Sequence, residues 1–153
     1  MVKHFDHVTF VVEDVARAKA FFALLGFAED KAVVIAGPKF ARYMRVDGIE
    51  AEHVTLVLAD AKPRTEIQLL KYRHPPAGAA GTGPQPTRLG FNHICFAVDD
   101  IAAELDTLRA HGVALLNDVM DFHDRKLVFV AGPEGIVVEL SQWHGAARTA
   151  PHS

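Results

Sequence analysis

The sequence has a single cysteine, Cys95. That excludes an internal disulfide and a cysteine-ligated zinc cluster, and it fits a reducing compartment. No apolar run comes near the ~20 residues that a membrane helix requires. Charge of one sign is also missing: 16 Lys and Arg stand against 19 Asp and Glu, a net −3. Such a balance leaves no electrostatic footprint for nucleic acid or for an anionic membrane. The first residues, Met1-Val2-Lys3-His4-Phe5-Asp6, bring an acid at once and no apolar stretch, unlike a signal peptide. Together these absences lead to the expectation of a soluble, cytoplasmic protein. What is present is one ordinary domain's length of 153 residues, half of them hydrophobic and 23% charged, enough for a packed core. Histidine is abundant, with nine residues.

Two stretches break the hydrophobic rhythm. Residues 74–90 are rich in Pro and Gly and read as a linker. Residues 144–153 are small and polar and read as a flexible tail. The linker separates two segments, 1–73 and 91–143, and these repeat one another. The stretch from His7 to Phe27 aligns without gaps on His93 to Val113, 86 positions later. Identities include His7/His93, Phe10/Phe96, Val12/Val98, Asp14/Asp100 and Gly26/Gly112.

Each copy has a direct physical reading. Val8–Val12 and Ile94–Val98 are β-rich runs. Asp14 and Asp100 are N-caps that accept from the free N–H groups of a first helical turn. Val15, Ala18, Phe22 and Leu25 recur at helical spacing, as do Ile101, Leu105 and Leu108. Phe21 and Phe22 read as core. Gly26 and Gly112 fit the left-handed position that ends a helix. Three strand-like runs follow in each half: 32–35, 53–58 and 65–70 in the first, 114–116, 126–131 and 136–140 in the second. Both halves therefore read βαβββ, and the fold class is α+β. The first half carries about 15 extra residues, placed between Gly37 and Ala51, which read as a lid or a subunit contact.

The repeat gives His7 and His93 equivalent places at the heads of equivalent strands. On the last strand of each half, Ile67-Gln68-Leu69 aligns with Val138-Glu139-Leu140. A lone His on an apolar strand is usually a hydrogen-bonded core residue. Its repetition, with a carboxylate inside a matched apolar run, changes the balance. Glu139 projects to the face opposite its apolar neighbours. In a closed interior it needs a partner or a metal. Two imidazoles with one or two oxygen donors suit a divalent ion such as Zn, Ni, Co, Mn or Fe(II). Glu66, two residues from Gln68, shares its side of the strand and is a reserve ligand.

The repeated module, FNHICFAVDDI at 91–101 and GPEGIVVEL at 132–140 resemble the vicinal oxygen chelate superfamily. That superfamily includes glyoxalase I, methylmalonyl-CoA epimerase, fosfomycin-resistance and bleomycin-resistance proteins and extradiol dioxygenases. The resemblance covers nearly all of 4–143, and Gly132 stands where the family turn usually has Asp. It implies a cupped mixed sheet built from two modules with flanking helices. It also implies a divalent metal held by His7, Gln68, His93 and Glu139, a small-molecule substrate and a homodimer. The implied activity is that of an isomerase or lyase acting through a metal-stabilised enediolate on a small carbonyl or thioester compound. Glu139 and His53 are the proton-transfer candidates; His53 falls near a catalytic Glu of the epimerases. The set His7, His93 and Glu139 equally fits an Fe(II) dioxygenase. A metal-free binding or resistance protein is the non-enzymatic alternative.

Overall fold

The computed structural model describes residues 1–78 and 86–145. The chain divides into two compact units, Met1–Ala79 and Ala80–Ser153. The first contains β1 (His7–Val11), α1 (Val15–Leu24), β2 (Phe27–Ala36), α2 (Pro38–Met44), β3 (Glu50–Leu58) and β4 (Glu66–His74). The second contains β5 (Ile94–Ala97), α3 (Ile101–Ala110), β6 (Met120–Asp121), β7 (Arg125–Ala131) and β8 (Val137–Trp143). Each unit forms a mixed four-stranded sheet of the same topology, ordered β1-β4-β3-β2 and β5-β8-β7-β6. The first and last strands of each unit pair in parallel, and the other pairings are antiparallel. The α+β, two-module fold is thus the one read from the repeat.

The capping chemistry is as expected. The Asp14 carboxylate accepts from Arg17 N–H, and the Asp100 carboxylate from Ala103 N–H. After each helix the chain turns at a glycine with positive φ, +94° at Gly26 and +78° at Gly112, a conformation costly for any residue with a Cβ. Gly132 is required for a different reason. Its φ is ordinary, but an added Cβ would lie 2.9 Å from the Ile136 carbonyl oxygen. A larger residue there would force that close turn to open.

One face of each sheet is covered by its helix. In the first unit Phe10, Val54, Leu56, Ile67 and Leu69 are buried together with Ala18, Phe21 and Phe22 of α1. Phe22 is fully buried and sits among Phe10, Phe21 and Phe27, with ring centroids 5.7, 5.2 and 6.1 Å away. In the second unit Val128, Val130, Val138 and Leu140 are buried, as are Ile101, Leu105 and Leu108 of α3.

Three features differ from the sequence reading. The run 114–116 is not a strand but an isolated bridge at Leu115, followed by the two-residue β6. The Asn117 side chain accepts from Phe129 N–H at 2.7 Å, taking the donor that a continued ladder would use. In the first half β2 starts at Phe27, earlier than the apolar run 32–35, through a bulge between Glu29 and Lys31. The extra segment 37–51 contains α2. Its Ala41 and Met44 pack on Ile35, Ile49, Ala51 and Leu70, so it covers one end of the sheet face opposite α1. The linker residues 79–85 and the tail from 146 onward lie outside the described residues. Among the described residues, no helix is long and apolar enough to cross a membrane.

Replacing Phe22 by Ala is expected to cost about 3–5 kcal/mol, the range for a fully buried aromatic whose cavity cannot collapse. Urea unfolding measures it. A loss under about 1 kcal/mol would contradict the packing described.

Candidate metal centre

The face of the first sheet that α1 leaves open is built in rungs. Cross-strand partners share a face, so the register places His7, Glu66 and Val57 on one rung. The next carries Thr9, Gln68, Thr55 and Lys31, and the third Val11, Leu70, His53 and Val33. The first-strand and last-strand candidates His7 and Gln68 are therefore diagonal neighbours, with His53 one rung beyond Gln68. His53 Nε2 lies 3.1 Å from Gln68 Oε1, and Thr9 Oγ1 donates to the same oxygen at 3.3 Å. The Gln68 amide nitrogen turns toward Glu66 Oε2 at 3.5 Å. His53 is half-buried and works on the Gln68 side chain rather than standing free at a strand start.

Glu66 is beside His7, and Asp6, His7 and Glu66 offer ligand atoms all within 4.8 Å of one another. Yet Glu66 has a committed partner. Arg64 Nε donates to Glu66 Oε1 at 2.6 Å, while its Nη2 donates to Asp30 Oδ2 at 2.8 Å. These two carboxylates push the Arg64 pKa up. Arg64 and the bulged Asp30 were missed in the sequence because the bulge that brings them together leaves no residue signature. The register supports Gln68 over Glu66 as the counterpart of Glu139. Thr9 pairs with Gln68, and its repeat equivalent Cys95 pairs with Glu139.

In the second unit the uncovered face carries Cys95, Glu139 and Phe129 on one rung. His93, just before β5, packs edge-on against Phe129 with centroids 4.9 Å apart. Its Nε2 comes to 3.6 Å from Glu139 Oε1, and Glu139 is 14% exposed. Two donors on one ion at bonds of about 2.1 Å are separated by at most about 4.2 Å, so the His93–Glu139 spacing fits a shared cation. Imidazole, carboxylate and amide oxygen are also the donor types a borderline divalent ion takes. Partial burial on this face raises the Cys95 thiol pKa, the Ser141 hydroxyl pulls against that, and the Glu139 carboxylate adds to it. Arg125 lies over the Trp143 ring at 4.6 Å.

Two sheets of the same unusual order, each with its first and last strands parallel, define a protein of the paired-module glyoxalase type. A profile of the Glyoxalase/Bleomycin resistance protein/Dioxygenase superfamily matches residues 4–140, and the chain belongs to that superfamily. Over 58 residues, 38% of this chain, it is 33% identical to glyoxalase I of Saccharomyces cerevisiae. That stretch spans only 18% of the yeast protein's length. A glyoxalase family protein from Bacillus cereus superposes with a TM-score of 0.85 at 25% identity, over 95% of this chain and 97% of that one. The fosfomycin resistance protein FosX of Listeria monocytogenes shares the fold, with a TM-score of 0.65 at 14% identity over 95% and 97% of the two chains.

In the presence of chelator, alkylation of Cys95 is expected to show an apparent thiol pKa above the usual ~8.5. Glu139→Gln removes a negative charge that opposes the thiolate, so it lowers that pKa and speeds alkylation near neutrality. An unchanged pH profile in the variant would contradict the contact.

Proposed function

We propose that the protein is a metal-dependent isomerase or lyase of the vicinal oxygen chelate type, acting on a small carbonyl or thioester substrate. The observation that carries this is the His93–Glu139 donor pair at 3.6 Å, with His7 and Gln68 at the matching places of the first unit. Superfamily membership supports it. A mutant of FosX, a fold relative, has been crystallised with Mn(II) and 1S,2S-dihydroxypropylphosphonic acid, a small molecule with hydroxyls on adjacent carbons.

His7, Gln68, His93 and Glu139 would hold the ion. When bound, a divalent cation supplies Lewis acidity that makes a carbon beside two coordinated oxygens more acidic. The chain's own residues handle the proton. Glu139 is the acceptor, because it is mostly buried and its carboxylate lies beside His93. His53 fixes the Gln68 amide through its 3.1 Å contact and is the second proton-handling group. The hydrophobic rung of Val11, Leu70 and Val33 leads away from His7 along the same face. Val11 and Val33 are exposed there and offer apolar surface to the unreactive part of a substrate, whereas Leu70 is buried under α2. We also propose a homodimer, since β1, β2, β5 and β6 are the outer strands of their sheets and open edges favour pairing.

Protein purified without chelator is expected to contain Zn, Ni, Co or Mn. It should exchange the α-proton of a 2-methylmalonyl thioester or of the methylglyoxal hemithioacetal for deuterium in heavy water. The His7→Ala, His93→Ala, Glu139→Ala triple variant should keep its circular dichroism and lose both metal and exchange. Bound Fe(II), oxygen uptake with catechols and no deuterium incorporation would instead establish ring-cleaving dioxygenase chemistry. Tight binding of a small molecule by metal-free protein, with no turnover, would establish the resistance-type reading. Sedimentation at micromolar concentration is expected to show a dimer, and a monomer there contradicts the pairing.

A further inference from the structure

The repeat extends one residue further back than the two histidines. Asp6 precedes His7 and Asn92 precedes His93, again 86 positions apart. Each side chain places an oxygen against the same ring atom. Asp6 Oδ1 is 2.5 Å from His7 Nδ1, and Asn92 Oδ1 is 2.8 Å from His93 Nδ1.

The direction of these bonds follows from hydrogen-bond chemistry. Asn92 Nδ2 donates to the Pro86 carbonyl oxygen at 2.9 Å. A carbonyl accepts only from a donor, so the amide NH₂ is committed there and the amide oxygen faces the imidazole. That oxygen needs an N–H opposite it. The neutral His93 ring therefore carries its proton on Nδ1 and keeps a lone pair on Nε2, the atom facing Glu139. For His7 the conclusion is immediate, because an ionised carboxylate is an acceptor only. The same bond holds the Asp6 carboxyl below its ordinary pKa.

We propose that Asp6 and Asn92 are positioning residues that hold His7 and His93 as Nδ1–H tautomers, making Nε2 of each ring the metal-donor atom. The role toward metal rests on the metal-binding reading above, whereas the tautomer assignment stands without it. The Asp6 oxygen that reaches His7 accepts from the ring N–H, which gives Asp6 the place of an outer partner to that imidazole. The two positions also differ in charge. Asp6 is anionic in the unit whose last-strand donor is the neutral Gln68. Asn92 is neutral in the unit whose last-strand donor is the carboxylate Glu139. A carboxylate on the far nitrogen strengthens an imidazole as a ligand, so each unit brings one carboxylate to its donor pair, through His7 in one and directly in the other. Glu66 is instead engaged by the Arg64 guanidinium, which it shares with Asp30.

Long-range proton–nitrogen spectra of the metal-free protein, recorded at about pH 8.5 where ordinary imidazoles are neutral, read the tautomers directly. The expected result is a protonated Nδ1 at both His7 and His93. Asp6→Ala and Asn92→Ala should each return their own histidine to the Nε2–H form that free imidazole side chains favour, and Asp6→Asn should not. Titration with Co(II), followed by its visible absorption, should then show affinity falling about 10–100-fold in each alanine variant, with a smaller fall in Asp6→Asn. The Asp6 side chain is 75% exposed, so its variants keep the fold, and they carry the test if Asn92→Ala does not. An Nε2–H signature at either histidine of the wild-type protein overturns the assignment. So does Co(II) affinity unchanged in the variants. Wild-type protein with both Nδ1–H tautomers that takes up no Co(II) overturns the metal-binding reading and the donor role, and leaves the tautomer assignment standing.

Discussion

Parallel pairing of the first and last strands in each unit is the constraint on which the rest depends. An antiparallel neighbour could be reached by a tight turn, but a parallel one requires the chain to leave and return. Here it returns through two further strands with one α-helix in the second unit and two in the first, so the opening and closing strands of each module lie side by side. The pairing fixes which side chains meet. It sets Gln68 diagonal to His7 and puts Glu139 on the rung of Cys95, where His93 reaches its carboxylate. A slip of one residue would turn the last-strand donors into the helix-covered core. The apolar side chains that alternate with them, Ile67 and Leu69 or Val138 and Leu140, are almost fully buried and forbid that slip.

The two units share this frame and fill it differently. On the uncovered face of the first, polar groups occupy adjacent rungs and satisfy one another: Thr9 and His53 on Gln68, Arg64 on Glu66 and Asp30. The second is sparser, with His93 and Glu139 close together and an aromatic ring against the imidazole. The first unit also spends its additional chain on α2, whose apolar residues cover part of the face that α1 leaves open. α2 thus sits at the Leu70 end of the rungs that begin at His7.

Much of this was legible in the sequence because it rests on local chemistry or on repetition. Asp14 and Asp100 cap helices through their own carboxylates, and Gly26 and Gly112 end them for want of a Cβ. The gapless match over His7–Phe27 gave the module and its histidines together. What stayed hidden depends on contacts distant in sequence or on single side chains. Nothing local announces that Asn117 takes the backbone donor of Phe129 and interrupts a strand. The extra segment between Gly37 and Ala51 was visible as added length, but its placement is decided by Ala41, Met44 and Val46 packing on the sheet. His53 was visible as a candidate, but its contact with Gln68 follows from the β3–β4 register. The Asp6 and Asn92 contacts lay one residue outside the block that the repeat made conspicuous.

The central claim is that the two histidines that open the modules and the two matched last-strand residues are metal ligands. Anomalous diffraction from crystals grown with Mn(II) tests it most directly. The account predicts a strong peak at about 2.0–2.3 Å from His7 Nε2, His93 Nε2, Gln68 Oε1 and a Glu139 oxygen, the range of ordinary metal–donor bonds. A peak bonded instead to Asp6 or Glu66, or a protein that takes up no Mn(II) at all, would contradict it.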